Sequence, residues 1–279
     1  MGVVNQKEKV YTFQNNIDTT PSGHKKLIDF YDSLRDQAPT AVILDLKEVN
    51  FIDANQCALL GAMVTKLANE KRHTFACYGD QIDGRFNILK RNGFIKADKE
   101  LVAKYNGSSV PLATFQTEDD VGFLNYISNE LLGHNALRKH TKFKREAIDH
   151  FSELFANIST HARTADDVFV CGQYYPNKHE LKFSIVDLGV GFLPPIQEHT
   201  NGAIMTSEQA IDWAMMGNTT KKDAPGGLGI KSLYEYCGEN RGSFNIISGD
   251  CYWGNNLGML GNRKISPFCG TIIHLMFKC

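Results

Sequence analysis

Apolar positions recur along this chain with two periods, and the period switches several times. Residues 41–46 form a short, β-branched apolar run, which predicts a buried strand. Downstream, Leu59, Leu60, Met63, Val64 and Leu67 recur at helical spacing, and Asp53 or Asn55 stands where it could cap that helix. Residues 74–78 predict a second strand, and residues 82–91 a short helix ended by Asn92-Gly93. Upstream, residues 25–35 have amphipathic helical spacing and follow an edge strand around Val10 to Phe13. Strands and helices in alternation predict a small open sheet with helices packed on it.

The periodicity weakens over residues 97–119, where Asn106-Gly-Ser-Ser and Pro111 punctuate the chain. A boundary there divides the chain into a first domain, residues 1–112, and a second, residues 117–279. The second opens with two helices. Residues 119–132 carry Phe123, Leu124, Ile127, Leu131 and Leu132, and residues 142–162 carry Ile148, Phe151, Leu154, Phe155 and Ile158 on one face. Residues 168–174 and 181–186 flank Pro176-Asn-Lys-His and read as a hairpin. Further strands are expected at 243–248 and 271–277. The pattern as a whole predicts an α+β chain.

Composition narrows the setting. The chain has 279 residues, 42% hydrophobic and 22% charged, which suits a globular protein rather than a disordered or fibrous one. A formal charge of -1 supplies no basic excess to grip a phosphate backbone, so nucleic acid is not expected as a partner. The seven cysteines form no CxxC pair and fit no zinc spacing, which suggests reduced thiols. The first residues lack a signal-peptide core, Gln6 breaks the myristoylation pattern, and no apolar run is long enough to span a bilayer. A cytoplasmic location is expected, with no membrane partner.

Three short signals in the second half carry chemistry. Glu153, Asn157 and His161 follow one another at steps of four, one helical turn apart on the polar face of the long helix. Asp187-Leu-Gly189-Val-Gly191 comes straight off a strand. Gly226-Gly227-Leu228-Gly229-Ile230 precedes Lys231 to Tyr236, a predicted helix. Singly, each has an ordinary explanation: a solvated helix face, a turn leaving a strand, a flexible loop. Neither glycine cluster is a Walker A loop or a dinucleotide fingerprint.

Together and in this order they resemble the N box, G1 box and G2 box of the GHKL ATPases. That superfamily includes gyrase, the ninety-kilodalton heat-shock chaperone, histidine kinases and the anti-sigma-factor serine kinases. The likeness covers residues 119–279, and the segment from Ala210 to Lys221 is similar to the family's lid. It implies a Bergerat-fold α/β sandwich that binds ATP and Mg²⁺. By that resemblance Asp187 accepts a hydrogen bond from the adenine amine, while Gly189 and Gly191 let backbone approach the base. Asn157 becomes the magnesium ligand. Gly227, Leu228 and Gly229 form a phosphate cradle at a helix N-terminus, and Lys221 or Lys222 reaches the γ-phosphate. Glu153 stands where hydrolysing and serine-kinase members keep a general base. A sensor histidine kinase would need an acceptor histidine on a paired helix; His134, His140 and His150 have no such context.

Residues 42–94 resemble the STAS fold of anti-sigma-factor antagonists, on Val42 to Gln56 and on Ile88 to Phe94. In that family the residue after the loop aspartate is a phosphorylatable serine. Here Ala54 follows Asp53, so this loop has no hydroxyl to accept a phosphoryl group. The first domain is therefore expected to be a docking or dimerising module, giving a homodimer or a complex with a STAS or sigma-factor-regulating protein. The expected function is a Mg-ATP-dependent regulator, an ATPase or serine/threonine protein kinase with Glu153 as base. The alternative is a non-catalytic, ATP-gated protein-binding switch. A scaffold with a decayed site is less expected, since all three boxes keep their chemical groups.

Overall fold

The computed structural model describes residues 7–96, 107–220, 228–254 and 263–279. In the first half, β1 (Lys7–Gln14), β2 (Thr40–Glu48) and β3 (Thr74–Cys77) make a parallel sheet in that order. Parallel neighbours need crossovers, which are α1 (Pro21–Asp32) and α2 (Cys57–Lys71). Thr20 caps α1 by accepting the Gly23 N–H, with Pro21 in the first turn. Arg72, at φ 55, closes α2 in the left-handed region.

Two local expectations need correction. Neither Asp53 nor Asn55 caps α2: the chain first makes a 3-10 turn over Ala54–Gln56, and both side chains bond elsewhere. The helix expected over residues 82–91 is two short ones, α3 (Gly79–Asp83) and α4 (Ile88–Arg91). Gly84 leaves helical backbone between them, at φ -87 and ψ -104.

The second half is built on an antiparallel five-stranded sheet. Its elements are β4 (Ser109–Phe115), α5 (Asp120–Tyr126), α6 (Thr141–His161), β5 (Val168–Tyr175) and β6 (Glu180–Asp187). There follow α7 (Leu193–His199), α8 (Ser207–Met215), α9 (Leu228–Glu239), β7 (Ser243–Gly254) and β8 (Arg263–Lys278). The strand order is β4-β5-β6-β8-β7. The weakly periodic stretch expected to divide the halves thus contains β4, a strand of the second sheet. Pro111 and a register shift between Val110 and Ala113 interrupt its alternation, which an edge strand tolerates. The helix expected over 119–132 is α5 continued by a π-helical turn, Ile127–Leu131. Among the described residues no helix is long and apolar enough to cross a membrane.

The five-stranded sheet is covered on both faces. On one, Leu181, Phe183 and Ile185 of β6 pack with Phe151, Leu154 and Phe155 of α6 in a single core. On the other, Val186, Leu188 and Ile272 join a core shared with Ala54, Cys57 and Ala58 of the first half. There α2 lies on β5 and β6, and α1 on β8. The result is a mixed α+β stack of sheet, helices, sheet and helices.

The seam between the halves is also polar. Asp53 is ion-paired to Lys182 at 2.8 Å and accepts hydrogen bonds from the N–H and hydroxyl of Thr19. The Ala54 N–H donates to the Tyr175 hydroxyl at 3.2 Å. The Asn55 amide donates to Ser184 Oγ at 2.7 Å, and Ser184 meets His274 Nδ1 at 2.6 Å. His274 Nε2 in turn meets His24 Nε2 at 2.9 Å. Two neutral tautomer sets satisfy this chain: Ser184 donates to His274 and His274 Nε2–H donates to His24, or His24 Nε2–H donates to His274 and His274 Nδ1–H donates to Ser184. Every bond in this chain then has one donor and one acceptor, with both imidazoles neutral.

Candidate functional site

On the face covered by α6, the C-terminal half of that helix, the end of β6 and the middle of β8 enclose a cleft. The alternation that sends Val186 and Leu188 to the seam sends Asp187 to this face. Antiparallel register places Thr271 opposite Asp187, and both line the cleft. Steps of four along α6 add Asn157 and His161, with Leu154 and Ile158 as apolar neighbours. Gly191, Phe192, Ile196, Trp213 and Asn218 complete the wall from the loop and helices after β6. The empty space is about 790 Å³, its open mouth included.

Asp187 lies at the floor of this cleft, 3% exposed. Burial pushes its carboxyl up to about 6, against the opposing pull of hydrogen bonds from Gly189 and Thr271. The Gly189 N–H donates to Asp187 Oδ1 at 2.9 Å and fixes the carboxylate's aim. The loop after β6 is tied down twice more. The Val190 N–H donates to the Ala162 carbonyl at 2.8 Å, just past α6, and the Phe192 N–H donates to Ser248 Oγ at 3.0 Å. Gly189 packs so closely on the Ala162 carbonyl that any side chain there would collide with it. Gly191 has a φ of +76, a conformation that disfavours side chains, and backs onto Ser248.

Of the residues read as a nucleotide site, Asn157, Asp187 and Gly191 meet at the cleft, and Gly189 braces Asp187 from behind. Glu153 is not among the lining residues. It stands one turn before Asn157, where a Cβ on Gly229 would meet Glu153 Cβ at 2.8 Å and Oε2 at 3.0 Å. Leu228 opens α9, which packs on α6, and Gly229 is thereby held against Glu153. Lys221, Lys222, Gly226 and Gly227 lie outside the described residues, as does the side chain of Leu228. His161 Nε2 and Thr220 Oγ1 are 3.1 Å apart, which ties the end of α6 to the segment after α8.

Sequence reasoning did not single out Thr271, Ile273 or Trp213 as cleft residues. The strand bearing Thr271 was foreseen, but its pairing with Asp187 is long-range and has no local signal.

The cleft offers a buried acceptor at its floor, an amide and an imidazole along one wall, and an apolar slot between. That set suits a flat, partly polar ring with a hydrogen-bond donor, held by a carboxylate and apolar side chains. Among the described residues no group of three or more His, Cys, Asp or Glu could hold a metal ion. Among the described residues Asn157 offers an amide oxygen at the cleft, and magnesium suits a site with few protein oxygens and several waters. Set against family models, curated proteins and solved structures, the chain matches none.

Proposed function

We propose that this chain is a Mg-ATP-binding regulatory protein of GHKL type, an ATPase or serine/threonine protein kinase with Glu153 as general base. The observation that carries the reading is the buried carboxylate of Asp187 in a cleft that Asn157 also lines. The three motifs are 26 and 35 residues apart in the chain, yet α6 adjoins both the loop after β6 and the start of α9. Asp187 would accept from the adenine amine, with the side chains of Ile158, Phe192 and Ile196 holding the ring. Asn157 would hold Mg²⁺, and backbone N–H groups at the N-terminus of α9 would bind phosphate. Bound Mg-ATP supplies the activated phosphoryl group. The part of Glu153 is to take a proton from a water or a serine hydroxyl as it attacks.

A second reading, an ATP-gated protein-binding switch with slow or no turnover, is favoured by one observation. Glu153 stands beside Gly229 rather than on the cleft wall. Turnover of Mg-ATP by the full chain and by Glu153→Ala separates the two. The enzyme reading expects a loss of about 100-fold or more in turnover, with nucleotide affinity nearly unchanged. Equal turnover in both proteins removes Glu153 as base. Nucleotide binding without any Glu153-dependent product establishes the switch instead.

A further inference from the structure

The first half does more than sit behind the cleft, because the same two strands form both surfaces. On β6 and the residue after it, Val186 and Leu188 flank Asp187 in sequence and are buried in the seam core. On β8, Ile272 is buried in that core between Thr271 and Ile273, which line the cleft. Asp187 and Thr271 are therefore held from behind by side chains whose burial depends on the first half being docked.

The docking contacts are specific. The loop Asp53-Ala54-Asn55 is buried, and its side chains reach Lys182 and Ser184, four and two residues before Val186 on β6. Ser184 passes the contact to His274 on β8, and His274 to His24 on α1. Lys182 is also stacked over Tyr175 at 5.3 Å, so β5, β6 and β8 are all gripped. Buried polar pairs of this kind define one register, since any slip strands a charge or a donor.

Resting on the reading of the cleft as a nucleotide site, we infer that the first half regulates that site from behind. Val186, Leu188 and Ile272 act as positioning residues that link docking at the Asp53–Asn55 loop to the aim of Asp187 and Thr271. A ligand on one face can favour docking on the other only through such shared elements, and the effect must be reciprocal.

Amide hydrogen exchange on the full chain tests this without a variant: Mg-ATP should slow exchange over residues 54–58 as well as over 186–190. In parallel, Asn55→Ala and Ser184→Ala, both away from the cleft, should each weaken Mg-ATP binding about five-fold or more, the low end of coupling between sites. Normal binding by the wild type, with 54–58 indifferent to nucleotide and both variants binding as wild type, overturns the inference alone. Absence of Mg-ATP binding to the wild type removes the nucleotide reading and the inference with it.

Discussion

At the scale of single residues, Asp187 carries a cost that its proposed role accounts for. Its folded-state carboxyl titrates at about 6, against 3.8 for the ordinary group. Between those values the folded chain binds the extra proton, so this group's contribution is intact below pH 4 and lost as pH rises through 6. A shift of about two units corresponds to about 3 kcal/mol at neutral pH. His24 works the other way. Burial pushes it down to about 3, so its contribution is present above pH 6.5 and lost as pH falls towards 3. His274, also pushed down by burial, adds to the same acid-side loss. Asp187→Asn should therefore melt higher than wild type at pH 8 in the absence of ligand, with the gap closing towards pH 4. Thermal melts across that range check it, and a gap independent of pH would show that Asp187 is not buried as an ionised group.

At the scale of elements, β6 is the pivotal strand, with the seam on one face and the cleft on the other. Lys182 is placed to compensate Asp53, whose carboxyl burial would raise but which Lys182 and hydrogen bonds hold below its ordinary value. Lys182→Met should cost about 3–5 kcal/mol, because it leaves Asp53 buried without a counter-charge. Adding Asp53→Asn should recover part of that loss, measurable as a double-mutant cycle by urea unfolding. Strict additivity of the two changes would mean that the pair does not interact. The strands and helices of both halves were largely legible, since buried runs such as Val42, Leu44 and Leu46 and the α6 face have clear periods. The edge strand β4 was not, because Pro111 and a register shift blur its alternation. Asp187 was legible from its motif, expected just past a strand; it is instead the last residue of β6. That Thr271 would face it, and that Asn55 would bond Ser184 rather than cap α2, depends on chain segments 84 and 129 residues away.

At the scale of the molecule, the two halves share one core, so neither face of the five-stranded sheet is open. Residues from both halves, among them Leu59, Phe169, Val186 and Ile272, belong to that core. The full chain should therefore unfold in one cooperative transition, seen alike by fluorescence and by far-ultraviolet dichroism; two separated transitions would contradict the shared core. The resemblance that suggests ATP binding concerns the second half, whereas the seam supports the inference that the first half tunes that half's site. The functional account rests on the cleft taking an adenine nucleotide. The most direct test is calorimetric titration of Mg-ATP into the full chain and into Asp187→Asn. The account predicts saturable one-to-one binding by wild type and a loss of about 1–3 kcal/mol in the variant, roughly 5- to 150-fold in affinity. No binding by wild type, or equal binding by both proteins, would contradict it.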